Sequence, residues 1–264
     1  MNKYVKLVNF EINRVAKLFA VLLGITFVSQ MIGVMVTSRQ YMNMANDNMF
    51  ERSMSQAQFL ENFGQMSFLK IAYSLWFVAP IALGVAGIGL YIFLIWYRDW
   101  IGKNTFVYRL LMLPTTRLNI FYAKITTILL LTFGLVAFQF ILLPIEMSVM
   151  EAMVPAELRS DIGVAEFLVS MPGLNIILAS SFVEFVLYYG AGVVAVSILF
   201  TAILFERSFR WKGIMAGLMY SVLAIAVMAL PILLHYFVLD GFFYPIELLA
   251  LEVVMGIMVF AASV

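Results

Sequence analysis

Residues 18–36, 71–97, 125–145 and 213–234 contain no charged side chain. Each run reaches the length of roughly 20 residues at which a helix crosses the hydrocarbon of a bilayer. Two further apolar runs, 175–205 and 244–264, carry only Glu184 and the pair Glu247 and Glu252. Lipid offers no partner to backbone N–H and C=O groups, so each run must satisfy its own as a helix. The runs are too long and too continuously apolar for barrel strands. Composition agrees, with 64% hydrophobic and 12% charged residues and a mean hydropathy of +1.02. Soluble domains are about half apolar and about a quarter charged. The expected fold is therefore an all-α integral membrane protein, one transmembrane domain over residues 1–264 with six spans.

Charge placement predicts the topology. With the N-terminus in the cytoplasm, the inner segments hold Lys3, Lys6, Arg14, Lys17, Arg98, Lys103, Arg109, Arg117, Lys124, Arg207, Arg210 and Lys212. The outer segments hold Arg39, Arg52, Lys70 and Arg159. That asymmetry follows the positive-inside rule and returns the C-terminus to the cytoplasm. Trp96, Tyr97, Trp100 and Trp211 fall at the inner interface, where aromatic belts sit. The first apolar run is too long for a cleavable signal, and no small-residue cleavage site follows it. Residues 1–17 mix Tyr4, Leu7, Phe10 and Ile12 with basic side chains, which predicts an interfacial helix ahead of span 1 rather than a loose tail.

The segments between spans also carry patterns. Phe50, Met54, Ala57, Leu60 and Phe63 recur at helical spacing, so part of the loop 37–70 should be helical. Its Met42, Met44, Met49 and Met54 are read as packing residues, with a thioether copper site as the lesser alternative. The loop 150–173 sets Glu151, Glu157, Asp161 and Glu166 around apolar residues, as a short interfacial helix or solvated face would. Pro80, Pro144 and Pro231 should bend their spans. Gly84, Gly87, Gly89, Gly190 and Gly192 offer places for close helix approach.

Much chemistry is missing. There are no cysteines and one histidine, His235, which excludes disulfides, thiolate sites and His-cluster metal centres. A net charge of +1 does not predict a nucleic-acid partner. Gly102-Lys103-Asn104-Thr105 lacks the earlier Gly of a phosphate-binding loop, and no nucleophile–base or HExxH pattern is visible. The chain is expected to have no enzymatic activity and to hold no cofactor.

Three polar residues inside spans are candidates for a translocation path. Ionisable groups in a span cost roughly 2–3 kcal/mol or more and mark function by default. Glu184 lies either in the outer half of span 4 or, if that span starts later, near the outer interface. Glu252 lies about two turns into span 6. Gln139 in span 3 is a candidate interhelical hydrogen-bond partner.

The segment between spans 2 and 3 is the most distinctive. Leu110, Leu111, Met112 and Leu113, set between Arg109 and Arg117, are wasted on a loop that only turns in water. They predict a short amphipathic helix that lies on the membrane or docks into a partner. Here the chain resembles the permease subunits of the second class of ABC exporters, of half-size type. That family has an acid after span 2, a Gly-Thr-like pair, a Leu-Leu-x-x-Pro-x-x-Arg core and a Lys opening span 3. Asp99 matches the acid and Asn104-Thr105 the pair, Leu110 to Arg117 with Pro114 the core, and Lys124 the final base. Asn104 in place of Gly and one extra residue before Leu110 depart from the pattern.

The resemblance implies that Asp99, Gly102, Asn104, Thr105, Arg109, Leu110, Leu111, Pro114 and Arg117 form a cytoplasmic coupling helix that seats in a groove on a separate ATPase. It implies two ATPase subunits, which hold the ATP and Mg, and a second permease chain, the same or homologous. The setting would be lipid of a bacterial cytoplasmic membrane, and the substrate an exported amphipathic peptide, antibiotic or lipid-like molecule. The alternatives are a gradient-driven secondary transporter or channel, and a membrane sensor or assembly protein. Secondary transporters often carry internal repeats, and none is visible between residues 1–124 and 125–264.

Overall fold

The structure is a computed structural model that describes residues 3–100, 112, 116–171, 177, 179, 181–238 and 243–264. Six helices are long and apolar enough to cross a membrane, so the chain is a multi-pass, all-α membrane protein. The long elements are α1 (Lys3–Asn46), α4 (Leu75–Trp100), α5 (Arg117–Met153), α7 (Phe182–Phe209), α8 (Trp211–Leu233) and α9 (Pro245–Ser263). Shorter ones are α2 (Gln56–Phe63), α3 (Phe68–Ala72) and α6 (Val164–Ser170). Strands β1 (Met66–Ser67) and β2 (Arg159–Ser160) form one parallel bridge, a small departure from an all-helical chain.

Several boundaries differ from the sequence reading. Residues 1–17 do not form a separate interfacial helix, because α1 runs unbroken from Lys3 to Asn46. No Pro interrupts that stretch and its first Gly is Gly24, so nothing stops propagation. Span 2 starts at Leu75 rather than residue 71, after a turn at Tyr73–Ser74. Ile71 and Ala72 instead join a core with Phe68. The expected helix in the 37–70 loop is α2, opened by a capping box in which the Ser55 hydroxyl accepts from the Gln58 N–H and the Gln58 side chain accepts from the Ser55 N–H. Its buried residue is Phe59, while Phe50 is 81% exposed, so the apolar face lies one step round from the predicted one.

The chain divides into two compact units, residues 1–12, 90–129 and 181–264 (unit 1) and residues 13–89 and 130–180 (unit 2). Unit 2 is built on an aromatic core. Phe68, Phe77 and Phe167 meet edge to face at centroid distances of 5.2–6.3 Å. Tyr41 meets Phe59 edge-on at 5.7 Å. Met42, Met49 and Met54 pack against this cluster, whereas Met44, expected to pack as well, is 39% exposed. In α6, Phe167 and Leu168 turn inward while Glu166 stays exposed, so the 150–173 loop does hold a short amphipathic helix. The Tyr41 hydroxyl donates to the carbonyl oxygens of Gly64 at 2.9 Å and Leu158 at 3.1 Å, clamping two loops. Tyr41→Phe leaves the ring packing intact and is expected to cost about 1–2 kcal/mol. Thermal unfolding in detergent reads this out, and an unchanged midpoint would show that the clamp is dispensable.

In unit 1, α7 and α8 form an antiparallel hairpin that reverses at Arg210, whose φ is +53°. A Cβ on Gly213 would lie 1.9 Å from the Phe205 carbonyl oxygen, and one on Gly217 would lie 3.0 Å from that of Ala202. Close backbone approach therefore occurs at Gly213 and Gly217. Gly89, Gly190 and Gly192, which the sequence suggested, have no atom within 4 Å of such a Cβ. Helix α9 packs on the hairpin through Val194, Ile198, Ala224 and Val259. The Thr201 hydroxyl donates to the Ser263 carbonyl at 2.7 Å.

Candidate functional site

Asp99, Lys124 and Glu11 come together in unit 1 beside the segment that joins α4 to α5. The helical period explains each placement. Tyr91, Ile95 and Asp99 recur at four-residue spacing on the buried face of α4. Lys124 lies among Ile120, Phe121, Thr127 and Ile128 on the buried face of α5. Val8 and Glu11 share a face of α1, three residues apart. Glu11 is 3% exposed, Asp99 0% and Lys124 1%.

The Lys124 ammonium uses all three of its protons. It donates to Asp99 Oδ2 at 2.6 Å, to Glu11 Oε1 at 3.1 Å and to the Ile95 carbonyl at 2.6 Å. It also lies 4.9 Å from the centroid of the Trp96 ring. Arg98 reaches the second oxygen of Glu11 at 2.9 Å from its half-exposed side chain. Among the described residues the cluster pairs two acids with two bases. That balance is what permits burial, since an unpaired interior charge is strongly unfavourable.

A second anchor ties α4 to α7. The Tyr97 hydroxyl donates to Glu206, and the Arg207 guanidinium lies over the Tyr97 ring at 4.4 Å. At the start of α1, the Tyr4 hydroxyl bonds Thr126 Oγ1 at 2.6 Å. The C-terminal end of α4 is thus tied to α1, α5 and α7.

The predicted coupling residues divide accordingly. Asp99 is in the network, and Arg117 is exposed as the first residue of α5. Gly102, Asn104, Thr105, Arg109, Leu110, Leu111 and Pro114 lie outside the described residues. Sequence reasoning missed Glu11 and Glu206. For Glu11 the available signal was that it is the sole acid in a basic N-terminal stretch.

The three path candidates do not share one placement. Glu184 is in the first turn of α7, where its backbone N–H is capped by the Ser181 hydroxyl at 3.2 Å. An acid in a first turn is favoured by the helix dipole. Glu252 lies in α9, half-buried, with one carboxylate oxygen buried and unpartnered. Gly256 packs near Val194, and Ser263 bonds Thr201, so Glu252 stands level with Gly190 rather than with Glu184. Gln139 belongs to unit 2, is 6% exposed, and accepts from the Gln30 side-chain amide at 3.1 Å. It is an interhelical hydrogen-bond partner, as expected.

Among the described residues no group of three or more His, Cys, Asp or Glu side chains could hold a metal ion. Comparison of the chain with protein-family models, with curated proteins and with solved structures finds no match.

Proposed function

We propose that this chain is the membrane-spanning permease subunit of an ATP-driven ABC exporter, powered by a separate ATPase. The carrying observation is the buried Lys124–Asp99–Glu11 network at the ends of a basic, apolar segment between two spans. Asp99 and Lys124 are the two residues that the family pattern sets at the margins of its coupling helix, and here they form an ion pair of 2.6 Å. On this reading the ATPase pushes on residues 98–117, and the network passes the push into α1, α4 and α5. Two permease chains would line the path of an amphipathic substrate. Purifying the tagged chain from its source membrane in mild detergent tests the proposal. An ABC ATPase should accompany it in comparable amount, and a chain that hydrolyses no ATP and carries no such subunit would refute the reading.

The same reading places residues 98–124 in the cytoplasm of a bacterial cell, with both termini on that side. Cysteines introduced at the exposed positions Asn62 and Ala165 should react with an impermeant external thiol reagent, whereas one at exposed Thr116 should not. Labelling at Thr116 from outside would invert the topology.

One observation favours the gradient-driven alternative. Glu146 is a fully buried carboxyl, and such groups serve as proton relays in transporters.

A further inference from the structure

Glu146 lies in α5 with an exposure of 0%, and neither carboxyl oxygen has a hydrogen-bond partner. It shares the buried face of α5 with Gln139, Leu142, Leu143, Met147 and Met150. The Gln30–Gln139 bond sets α1 beside α5 within unit 2. Phe19 meets Gly134 earlier on both helices, and Tyr41, further along α1, meets Leu158 just past the end of α5, so the two helices ascend together. Ser38, two turns beyond Gln30, therefore stands level with Glu146, two turns beyond Gln139. Ser38 is also 0% exposed, and its hydroxyl is unpartnered.

Among the described residues no charge is at hand to neutralise a carboxylate here. On the elements that build this core, Arg39, Lys70, Glu151 and Glu166 are exposed. So are Asp47, Glu51, Arg52 and Glu61 in the segment around α2, and Glu157 and Asp161 beyond α5. Arg159 is committed to Asp161 at 2.7 Å and to the carbonyls of Glu151 and Val154. The Tyr41 hydroxyl is committed to Gly64 and Leu158. A metal ion would need several oxygen ligands, and the α5 face around Glu146 offers Leu and Met. A proton needs one.

We propose that Glu146 is a proton-binding site, carried as the neutral acid in the core of unit 2. An ionised carboxylate there would lack every compensating contact, whereas a neutral acid removes the charge and gains a donor that a small shift could aim at Ser38. The step is simple: Glu146 releases a proton to water as a carboxylate forms, and takes it back when the core closes. Since water does not reach the closed core, proton exchange requires unit 2 to open. The site thus links a proton to a conformational change. This inference stands whichever subunit supplies the energy of transport.

Infrared spectroscopy of the full chain in lipid vesicles tests it. At neutral pH the wild type should show the carbonyl band of a neutral carboxylic acid. The band should vanish in Glu146→Gln, shift in Glu146→Asp, and persist in Glu252→Gln. Glu146→Gln mimics the neutral acid and should keep the wild-type thermal midpoint. A wild-type spectrum without that band would overturn the proposal, as would one that Glu146→Gln and Glu146→Asp leave unchanged. If Glu146→Gln fails to fold, the Glu146→Asp shift decides alone. Neither outcome bears on ATPase association, so the exporter reading stands or falls separately.

Discussion

Lys124→Met is expected to destabilise the protein by about 3–5 kcal/mol, because it leaves two buried carboxylates without their shared cation. Asp99 and Glu11 are 0% and 3% exposed, so water cannot replace the ammonium. The Ile95 carbonyl would lose a donor as well. Arg98 would still reach Glu11. Thermal unfolding in detergent should show a large drop in midpoint. The informative control is the triple variant Glu11→Gln, Asp99→Asn, Lys124→Met, which removes these three buried charges together. Replacing a whole buried ion network is often neutral or stabilising, whereas breaking it is not. The triple variant should therefore recover most of the stability. On the exporter reading, with the network passing the push, the recovered variant should bind the ATPase normally yet show weakened transport per ATP hydrolysed. Full transport in the triple variant would reduce the network to a structural feature.

On the exporter reading, Leu111→Asp and Arg117→Glu should each weaken association with the ATPase by about tenfold or more while the chain remains inserted. Burying an unpaired carboxylate in a partner's groove forfeits its hydration without a compensating contact. Arg117 is exposed at the start of α5, which leaves its side chain available to a partner. Both positions lie outside the apolar runs 71–97 and 125–145 of the sequence, so membrane insertion and the thermal midpoint of the isolated chain should be unchanged. Copurified ATPase at the unmutated level in both variants would remove the coupling role from this segment.

Six membrane-length helices could be read directly from the chain, because hydrocarbon tolerates only self-satisfied backbone and the apolar runs are long. The helix in the 37–70 loop was legible for the same kind of reason, since its periodicity is local. Its buried face was not, because Phe59 is selected by Tyr41 on another helix rather than by spacing alone. The candidate site divides in the same way. Asp99 and Lys124 stood out through the pattern around the coupling segment, but nothing local could join them to Glu11. That bond spans 113 residues of sequence and exists only because three buried helix faces meet. Glu146 is the sharpest case. It directly follows the apolar run 125–145, and nothing in the sequence singled it out. Tertiary packing encloses it at 0% exposure among side chains that offer it no charge, and burial of that kind is a property of the surroundings, not of the residue.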